Sequence, residues 1–437
     1  MTESPEDEFS REEQAFRASF AEPEEFEPLD PAQFVRPSRR KLRWDRVLSA
    51  AAAIVVVAGV GFGFSQFAGR GVSATVAEGA PSAAASMTAQ DKGELGGGVG
   101  QPAPHLPTPG LGSTASAWKL TSQVPLTRIE PATGWLDGRY YLIGGAGACG
   151  PSADCKSYRD GVAYDPSTDS WTSIAEPPVS LQGTTGVAFE GKLYFTRATD
   201  PTASTLVVYD PSTNSWASIA APARFNGLVV AGDQLIGVGL GTRLGGDATD
   251  RRYDPASNTW TALPTNPFSP NQARSVVSIG DRLVLSAYTL SGETKYATFD
   301  LTTQTWTPVT NVTASGRMTA VGGSVVFQKD GSSMLDTYRV ADGIGSGLAM
   351  DFSQDETDRL KASGLFAANG TVVGSRMVFY GHLLDPSDNS MVPLPDLPKA
   401  KLTDQIAIGS PNGLLVYRVT GVDNKAKATA YYLPVSP

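Results

Sequence analysis

The 437-residue sequence contains little histidine, cysteine or side-chain charge. It has only two histidines, His105 and His382, and two cysteines, Cys149 and Cys155. Two histidines cannot build a zinc site of several histidines, and they leave almost no candidates for a Ser-His-Asp triad. The sequence therefore indicates no metal site and no cofactor.

Charged residues make up 18% of the chain, and its formal net charge is −9. Binding to nucleic acid requires basic residues clustered on one face, so this composition indicates no nucleic-acid partner. Glycine and proline are abundant, at 46 and 31 residues. That abundance is typical of short strands joined by many turns, and it predicts an all-β fold.

Residues 47–68 form an uncharged, largely apolar run that is long enough to cross a bilayer as a helix. Six cations precede this run and a single one, Arg70, follows it: Arg36, Arg39, Arg40, Lys41, Arg43 and Arg46. The positive-inside rule then places residues 1–46 in the cytoplasm and the rest outside, as a single-pass protein of the cell membrane. The alternative is a signal peptide cleaved near Val72-Ser73-Ala74.

Two segments around the predicted span are poor in core-forming residues. Residues 69–116 consist mainly of Gly, Ala, Ser, Pro and Thr, which predicts a flexible linker. Residues 1–46 form an acidic tail. Within it, residues 10–20 begin with a capping-box pattern and place Phe16 and Phe20 four positions apart, so a short helix there could bind a cytoplasmic partner. The alternative is a solvated tail without a partner.

A repeat organises residues 117–437. Four copies begin with an aromatic residue and Asp and end in Trp, and a fifth ends in Met: Tyr164–Trp171, Tyr209–Trp216, Tyr253–Trp260, Phe299–Trp306 and Leu384–Met391. The tryptophans are spaced 45, 44 and 46 residues apart. Asp-Pro favours a tight turn, and apolar hairpins precede each copy, so each period predicts four antiparallel strands. Such a unit is one propeller blade.

This pattern resembles the kelch repeat, the repeat of the propeller domain in galactose-oxidase-like proteins. The family's double glycine after the second strand is clear only at Gly144-Gly145. The spacing predicts seven blades, with six as the alternative because a further copy around Tyr338, in the fifth blade, is degenerate. Trp118 lies in an isolated strand that would complete the last, C-terminal blade and close the ring.

Strand alternation assigns the short turns to one face and the long, variable loops to the other, where binding residues tend to lie. A cation precedes the first strand of several blades: Arg128, Arg224, Arg274, Arg317 and Lys401. The resemblance implies that such residues approach the central channel, where they could bind an anionic ligand. The alternative is that each binds carbonyls of a neighbouring blade. Outside the cytoplasm, Cys149 and Cys155 are expected to form a disulfide.

These observations favour a membrane-anchored, extracytoplasmic binding or scaffold module that recognises a protein or glycan and is not an enzyme. One alternative is a transmembrane sensor that signals through residues 1–46. Another is a propeller enzyme acting on a carbohydrate, since galactose-oxidase-like and sialidase-like proteins share the fold. The scarcity of histidine and the missing Ser-x-Asp-x-Gly order argue against the enzyme.

Overall fold

A computed structural model describes residues 117–149, 155–196, 205–239, 248–268, 273–288, 294–310, 317–328, 334–341, 343–349, 358, 364–368 and 370–435. The predicted tail, membrane span and linker, residues 1–116, lie outside these ranges. Within them, no helix is long and apolar enough to cross a membrane.

The described strands form seven four-stranded antiparallel sheets, here called blades 1 to 7. Blade 1 consists of β2 (Ala132–Leu136), β3 (Arg139–Ile143), β4 (Gly161–Asp165) and β5 (Ser170–Ile174), and blade 2 of β6 (Val187–Phe189), β7 (Lys192–Thr196), β8 (Thr205–Asp210) and β9 (Ser215–Ala220). Blade 3 consists of β10 (Phe225–Ala231), β11 (Gln234–Gly239), β12 (Arg251–Asp254) and β13 (Thr259–Ala262). Blade 4 consists of β14 (Ala273–Ile279), β15 (Arg282–Tyr288), β16 (Thr294–Asp300) and β17 (Thr305–Val309). Blade 5 consists of β18 (Arg317–Val321), β19 (Ser324–Gln328), β20 (Met334–Arg339) and β21 (Ile344–Ala349). Blade 6 consists of β22 (Val372–Val373), β23 (Arg376–Phe379), β24 (His382–Asp385) and β25 (Ser390–Pro393). Blade 7 consists of β26 (Leu402–Ser410), β27 (Gly413–Thr420) and β28 (Lys427–Pro434), together with β1 (Lys119–Leu120) from the other end of the segment. Two 3-10 turns, Leu365–Ala368 and Asp423–Lys425, lie in the connections.

The seven blades form a closed ring. The first strand of each blade contacts the first strand of the next, and β26 contacts β2. These strands are therefore innermost, while fourth strands such as β5 and β9 are largely exposed at the rim. The prediction of a seven-bladed all-β propeller is confirmed, and the six-bladed alternative is wrong. The degenerate copy around Tyr338 does form a complete sheet, blade 5.

The ring closes where the sequence predicted. Strand β1 pairs with β28, with Lys119 opposite Tyr432 and Leu120 opposite Tyr431. Blade 7 is therefore built from both ends of the propeller segment. Because β1 occupies the position of a fourth strand, the edge of the last sheet is covered rather than left open.

Aromatic residues of the repeat join neighbouring blades. Within a blade, the third-strand ring packs on the fourth-strand tryptophan, as in Tyr164 and Trp171, whose centroids lie 4.8 Å apart. The indole N–H then donates to a main-chain carbonyl beside the preceding blade's fourth strand. This bond recurs five times, from Trp118 to Pro395, Trp171 to Ser122, Trp216 to Ala175, Trp260 to Ala220 and Trp306 to Pro264.

The apolar core lies between blades rather than inside a single sheet. Along β27, Leu415 and Tyr417 pack toward blade 1 with Tyr140. The alternate residues Leu414 and Val416 pack toward blade 6. Alternation along a strand places every second side chain on the same side. Arg418 therefore shares the blade 6 side of β27 with Val416.

Candidate functional site

One face of the propeller, here called the short-turn face, carries the turns between first and second and between third and fourth strands. In five blades, the Asp at the end of the third strand accepts hydrogen bonds from the turn that follows it. Asp165 Oδ1 accepts the Ser167 amide N–H at 2.9 Å and its hydroxyl at 2.6 Å. The hydroxyl bond is the main reason why the pKa of Asp165 lies below its usual value. The same turn recurs at Asp210, Asp254, Asp300 and Asp385.

Ion pairs complete the short-turn face. A cation at the start of a second strand lies beside the turn aspartate in four blades: Arg139 with Asp165 at 3.8 Å, Lys192 with Asp210 at 3.4 Å, Arg282 with Asp300 at 3.5 Å, and Arg376 with Asp385 at 3.8 Å. Exposed pairs of this kind add little stability. They do leave the turn carboxylates and these cations engaged with one another.

The opposite face, here called the loop face, carries the connections between second and third strands and between blades. All five cations singled out in the sequence lie at this end of their blades. Arg274 and Arg317 lie in the first residues of β14 and β18, and Arg224 and Lys401 immediately precede β10 and β26. Arg128 lies four residues before β2.

Arg128 is held by blade 1 itself. Its Nη2 donates to both carboxylate oxygens of Asp160, at 3.0 and 2.9 Å, and its Nη1 donates to the Thr127 carbonyl. The guanidinium carbon lies 3.5 Å from the centroid of the Tyr158 ring. This guanidinium is therefore already engaged by a carboxylate and an aromatic face, and only its Nε lacks a hydrogen bond among the described residues.

Arg274 is buried between blades 3 and 4, with 1% of its side chain exposed. Its Nη1 lies 3.5 Å from Asp250 Oδ1, and its Nη2 donates to the carbonyls of Ala248 and Gly239. Asp250 also accepts hydrogen bonds from the Gly239 amide and the Asn266 side chain. Burial raises the pKa of Asp250, against the opposing effect of Arg274. Arg274 thus binds carbonyls of the neighbouring blade.

The other three cations differ in exposure. Lys401 is exposed, while Arg224 and Arg317 are half-buried. Within the described part of the chain, neither Arg224 nor Lys401 forms an ion pair or hydrogen bond. The loop face also contains carboxylates, because Asp404 accepts the Glu130 amide N–H at 2.6 Å and Glu130 accepts the Gln182 side chain at 3.0 Å.

Cys149 and Cys155 form a disulfide in the loop between β3 and β4. The carbonyl of Ala148, next to Cys149, accepts the amide N–H of Asp423 in the loop between β27 and β28. The disulfide loop therefore contacts blade 7 on the loop face, at the boundary where the ring closes.

Sequence reasoning missed two buried polar residues of blade 7. Arg418 on β27 is 1% exposed and lies directly opposite Gln405 on β26, which is 6% exposed. Arg418 Nη1 donates to the Pro398 carbonyl at 2.7 Å, while its Nε and Nη2 have no hydrogen-bond partner among the residues that the structure describes. A single arginine in the apolar run Gly413–Thr420 was the only signal in the sequence.

A metal site has no obvious ligands in the described ranges. No three His, Cys, Asp or Glu side chains lie together there. The described histidine, His382, is half-buried and shares a hydrogen bond of 2.8 Å between its Nδ1 and the Tyr380 carbonyl.

Comparison with known proteins adds information on the fold. No protein-family model matches the sequence, and no curated protein matches it. Among solved structures, a fungal alcohol oxidase of the AA5 family, in complex with copper, is 11% identical, with a TM-score of 0.48 over 74% of this chain and 77% of that chain. The structure of YjhT is 13% identical, with a TM-score of 0.39 over 72% of this chain and 97% of that chain. The propeller that the kelch-type repeat predicted is confirmed by the seven four-stranded sheets of the described chain.

The same comparison corrects one prediction from the sequence. We expected that the chain is not an enzyme, yet one of these similar structures is described as an alcohol oxidase. The scarcity of histidine and the missing Ser-x-Asp-x-Gly order were the reasons for that expectation, and they address only histidine-dependent and sialidase-like sites. The prediction is therefore withdrawn.

Proposed function

We propose that the loop face of the propeller binds an anionic ligand, a protein or a glycan that carries carboxylates, outside the cytoplasm. The observation that carries this proposal is the difference between the two faces. The short-turn face repeats one turn whose carboxylates and cations engage each other. The loop face instead contains Arg224 and Lys401, which bind nothing in the described part of the chain.

The point where the chain enters the propeller also favours the loop face as the binding face. Strand β28 ends at Pro434, which lies opposite Gly413 beside a turn of the short-turn face. Strand β1 is antiparallel to β28, and its Lys119 lies opposite Tyr432, closer to that turn than Leu120 does. The chain therefore enters the propeller at its short-turn face. The loop face is thus the end of the ring that lies away from the point where the chain enters.

Free cations of this kind suit carboxylates. An arginine guanidinium presents paired N–H donors that match the two oxygens of a carboxylate, and a lysine adds a point charge. Arg128 is not proposed to contact the ligand, because Asp160 already neutralises it through Nη2 and the Tyr158 ring covers its face. Arg274 is excluded for the same reason by Asp250.

Charge reversal tests this proposal. The full-length chain, purified in detergent, is screened against a panel of carboxylate-bearing glycans and acidic peptides. The variants Arg224→Glu and Lys401→Glu are then compared with Lys192→Glu, which reverses a charge on the short-turn face. We expect the first two to weaken binding at least tenfold and Lys192→Glu to leave the dissociation constant unchanged. Equal binding by all variants would refute the proposal.

A further inference from the structure

Two arginines are buried between blades in the described part of the propeller, and their hydrogen-bond partners differ. Arg274 faces blade 3 at the loop-face end of the blade 3–4 interface. Arg418 faces blade 6 at the loop-face end of the blade 6–7 interface, above the apolar cluster of Val416. Arg274 has Asp250 and two carbonyls as partners. Arg418 has one carbonyl and, among the described residues, no carboxylate.

A buried guanidinium without a counter-charge is costly, and burial lowers the pKa of Arg418. The protein contacts that it does have fix its position. Nη1 is bonded to Pro398, and the Tyr431 ring centroid lies 5.9 Å from the guanidinium carbon. The two donors left over, Nε and Nη2, project from the same edge of the guanidinium. This edge is the fork that receives both oxygens of a carboxylate.

Gln405 supplies a second unsatisfied group beside this fork. Residues directly opposite on antiparallel strands place their side chains next to each other on one side of the sheet. Gln405 Nε2 donates to the Gly364 carbonyl, which holds the amide in place. Its Oε1 is buried and accepts no hydrogen bond. A fork of two donors therefore lies beside one acceptor.

We propose that Arg418 and Gln405 form a binding site for a carboxylate whose neighbouring atom carries a hydroxyl or amide proton. The carboxylate binds the Nε and Nη2 fork of Arg418, and the proton is donated to Gln405 Oε1. This inference rests on the proposed binding role of the loop face and assigns one chemical group of its ligand.

The surface next to the site carries positive charge that would attract an anion. Pro398, whose carbonyl binds Arg418, begins an exposed stretch that contains Lys399 and Lys401. Exposed lysines concentrate anions near the surface. The buried fork is linked to this stretch by the hydrogen bond from Arg418 to Pro398, so an anion attracted by the lysines is brought close to the unsatisfied donors.

The test uses glycolate, the smallest carboxylate with a hydroxyl on the neighbouring carbon, and the full-length chain. Thermal unfolding and calorimetric titration are recorded in sodium glycolate and in sodium chloride of equal ionic strength. Binding to the native state alone raises the unfolding temperature with ligand concentration. We expect this rise in glycolate but not in chloride. Acetate, which lacks the hydroxyl, should bind roughly 2- to 10-fold more weakly because one hydrogen bond is lost.

Variants locate the effect. Arg418→Met removes the fork and should abolish the glycolate response. Arg159→Met, a matched change at an exposed arginine paired with Glu176, should retain it. If Arg418→Met fails to fold, Gln405→Glu replaces it, since an internal carboxylate opposite Arg418 occupies the fork and should also abolish the response.

The possible outcomes separate this inference from the proposed function. A glycolate response that persists in Arg418→Met, or in Gln405→Glu where that variant replaces it, or no response in the native chain, overturns the Arg418 site. If a panel ligand still binds through Arg224 and Lys401, only this inference fails. A glycolate response at Arg418 without any panel binding supports the site and overturns the proposed function instead.

Discussion

Trp118 donates its indole N–H to the main-chain carbonyl of Pro395 at 2.7 Å, across 277 residues of sequence. The same bond joins blades at four other tryptophans, so Trp118 plays in blade 7 the part that Trp171 plays in blade 1. A strand of two residues, β1, would pair weakly by its main chain alone. The tryptophan therefore contributes much of the ring closure.

Removing this indole bond should destabilise the propeller at its closure. Trp118→Phe keeps an aromatic ring but loses the donor, and it leaves the Pro395 carbonyl without this bond, so we expect a loss of about 1 kcal/mol in the free energy of unfolding. Leu120→Ala is the control, because Leu120 is 63% exposed in the same strand. Denaturant unfolding measures both. Equal losses would mean that the tryptophan is not specifically required.

The tight turn between third and fourth strands should tolerate glycine better than alanine. Asn258 has a left-handed backbone, with φ of 52°, and its side-chain oxygen accepts the Tyr253 hydroxyl at 2.9 Å. Asn258→Ala loses the hydrogen bond and strains the backbone, at a cost of about 1–2 kcal/mol. Asn258→Gly loses only the bond and should cost less. The unfolding midpoints of the two variants measure the difference in stability. An alanine variant that is more stable than the glycine variant would contradict this prediction.

The buried pair of Asp250 and Arg274 should be sensitive to the loss of one member only. Asp250→Asn leaves the guanidinium of Arg274 buried without a counter-charge, which typically costs about 3–5 kcal/mol. The double variant Asp250→Leu/Arg274→Met removes both charges. We expect it to be less destabilised than the sum of the single variants Asp250→Leu and Arg274→Met in a double-mutant cycle. Simple additivity would show that the two side chains are not coupled.

Alkaline pH should destabilise the propeller through its buried tyrosines. Burial raises the pKa of Tyr194 from 10.0 to about 12. The native state then holds this proton more tightly than the unfolded chain, so its contribution is complete below pH 10 and is lost as the pH rises toward 12. Tyr194→Phe should therefore lose less stability than the native chain over this interval. Parallel loss in both proteins would refute this assignment.

Much of the fold follows from local chemistry that is visible in the sequence. The turn at Asp210 and the tryptophan at 216 act through residues a few positions apart, which is why their spacing predicted strands, blades and ring closure. Blade 5 lacks the tryptophan, yet the spacing still located Tyr338 in its third strand.

The site was less predictable because its properties depend on distant residues. Arg274 looks like Arg224 in the sequence, but Asp250 and the carbonyl of Ala248 in the neighbouring blade bury and neutralise it. Arg418 lies in an apolar strand. Only the packing of blade 6 against blade 7 reveals that two of its donors lack partners.

The central claim, that the loop face binds the ligand, is tested most directly by blocking each face in turn. Because Cys149 and Cys155 are joined in a disulfide, an introduced cysteine is a unique free thiol. Asn424→Cys on the loop face and Thr213→Cys on the short-turn face, both exposed positions, are coupled to a bulky polymer, and binding of the tightest panel ligand is measured. The account predicts loss of binding for the polymer at position 424 and unchanged binding for the polymer at position 213. Loss only at position 213 would contradict it.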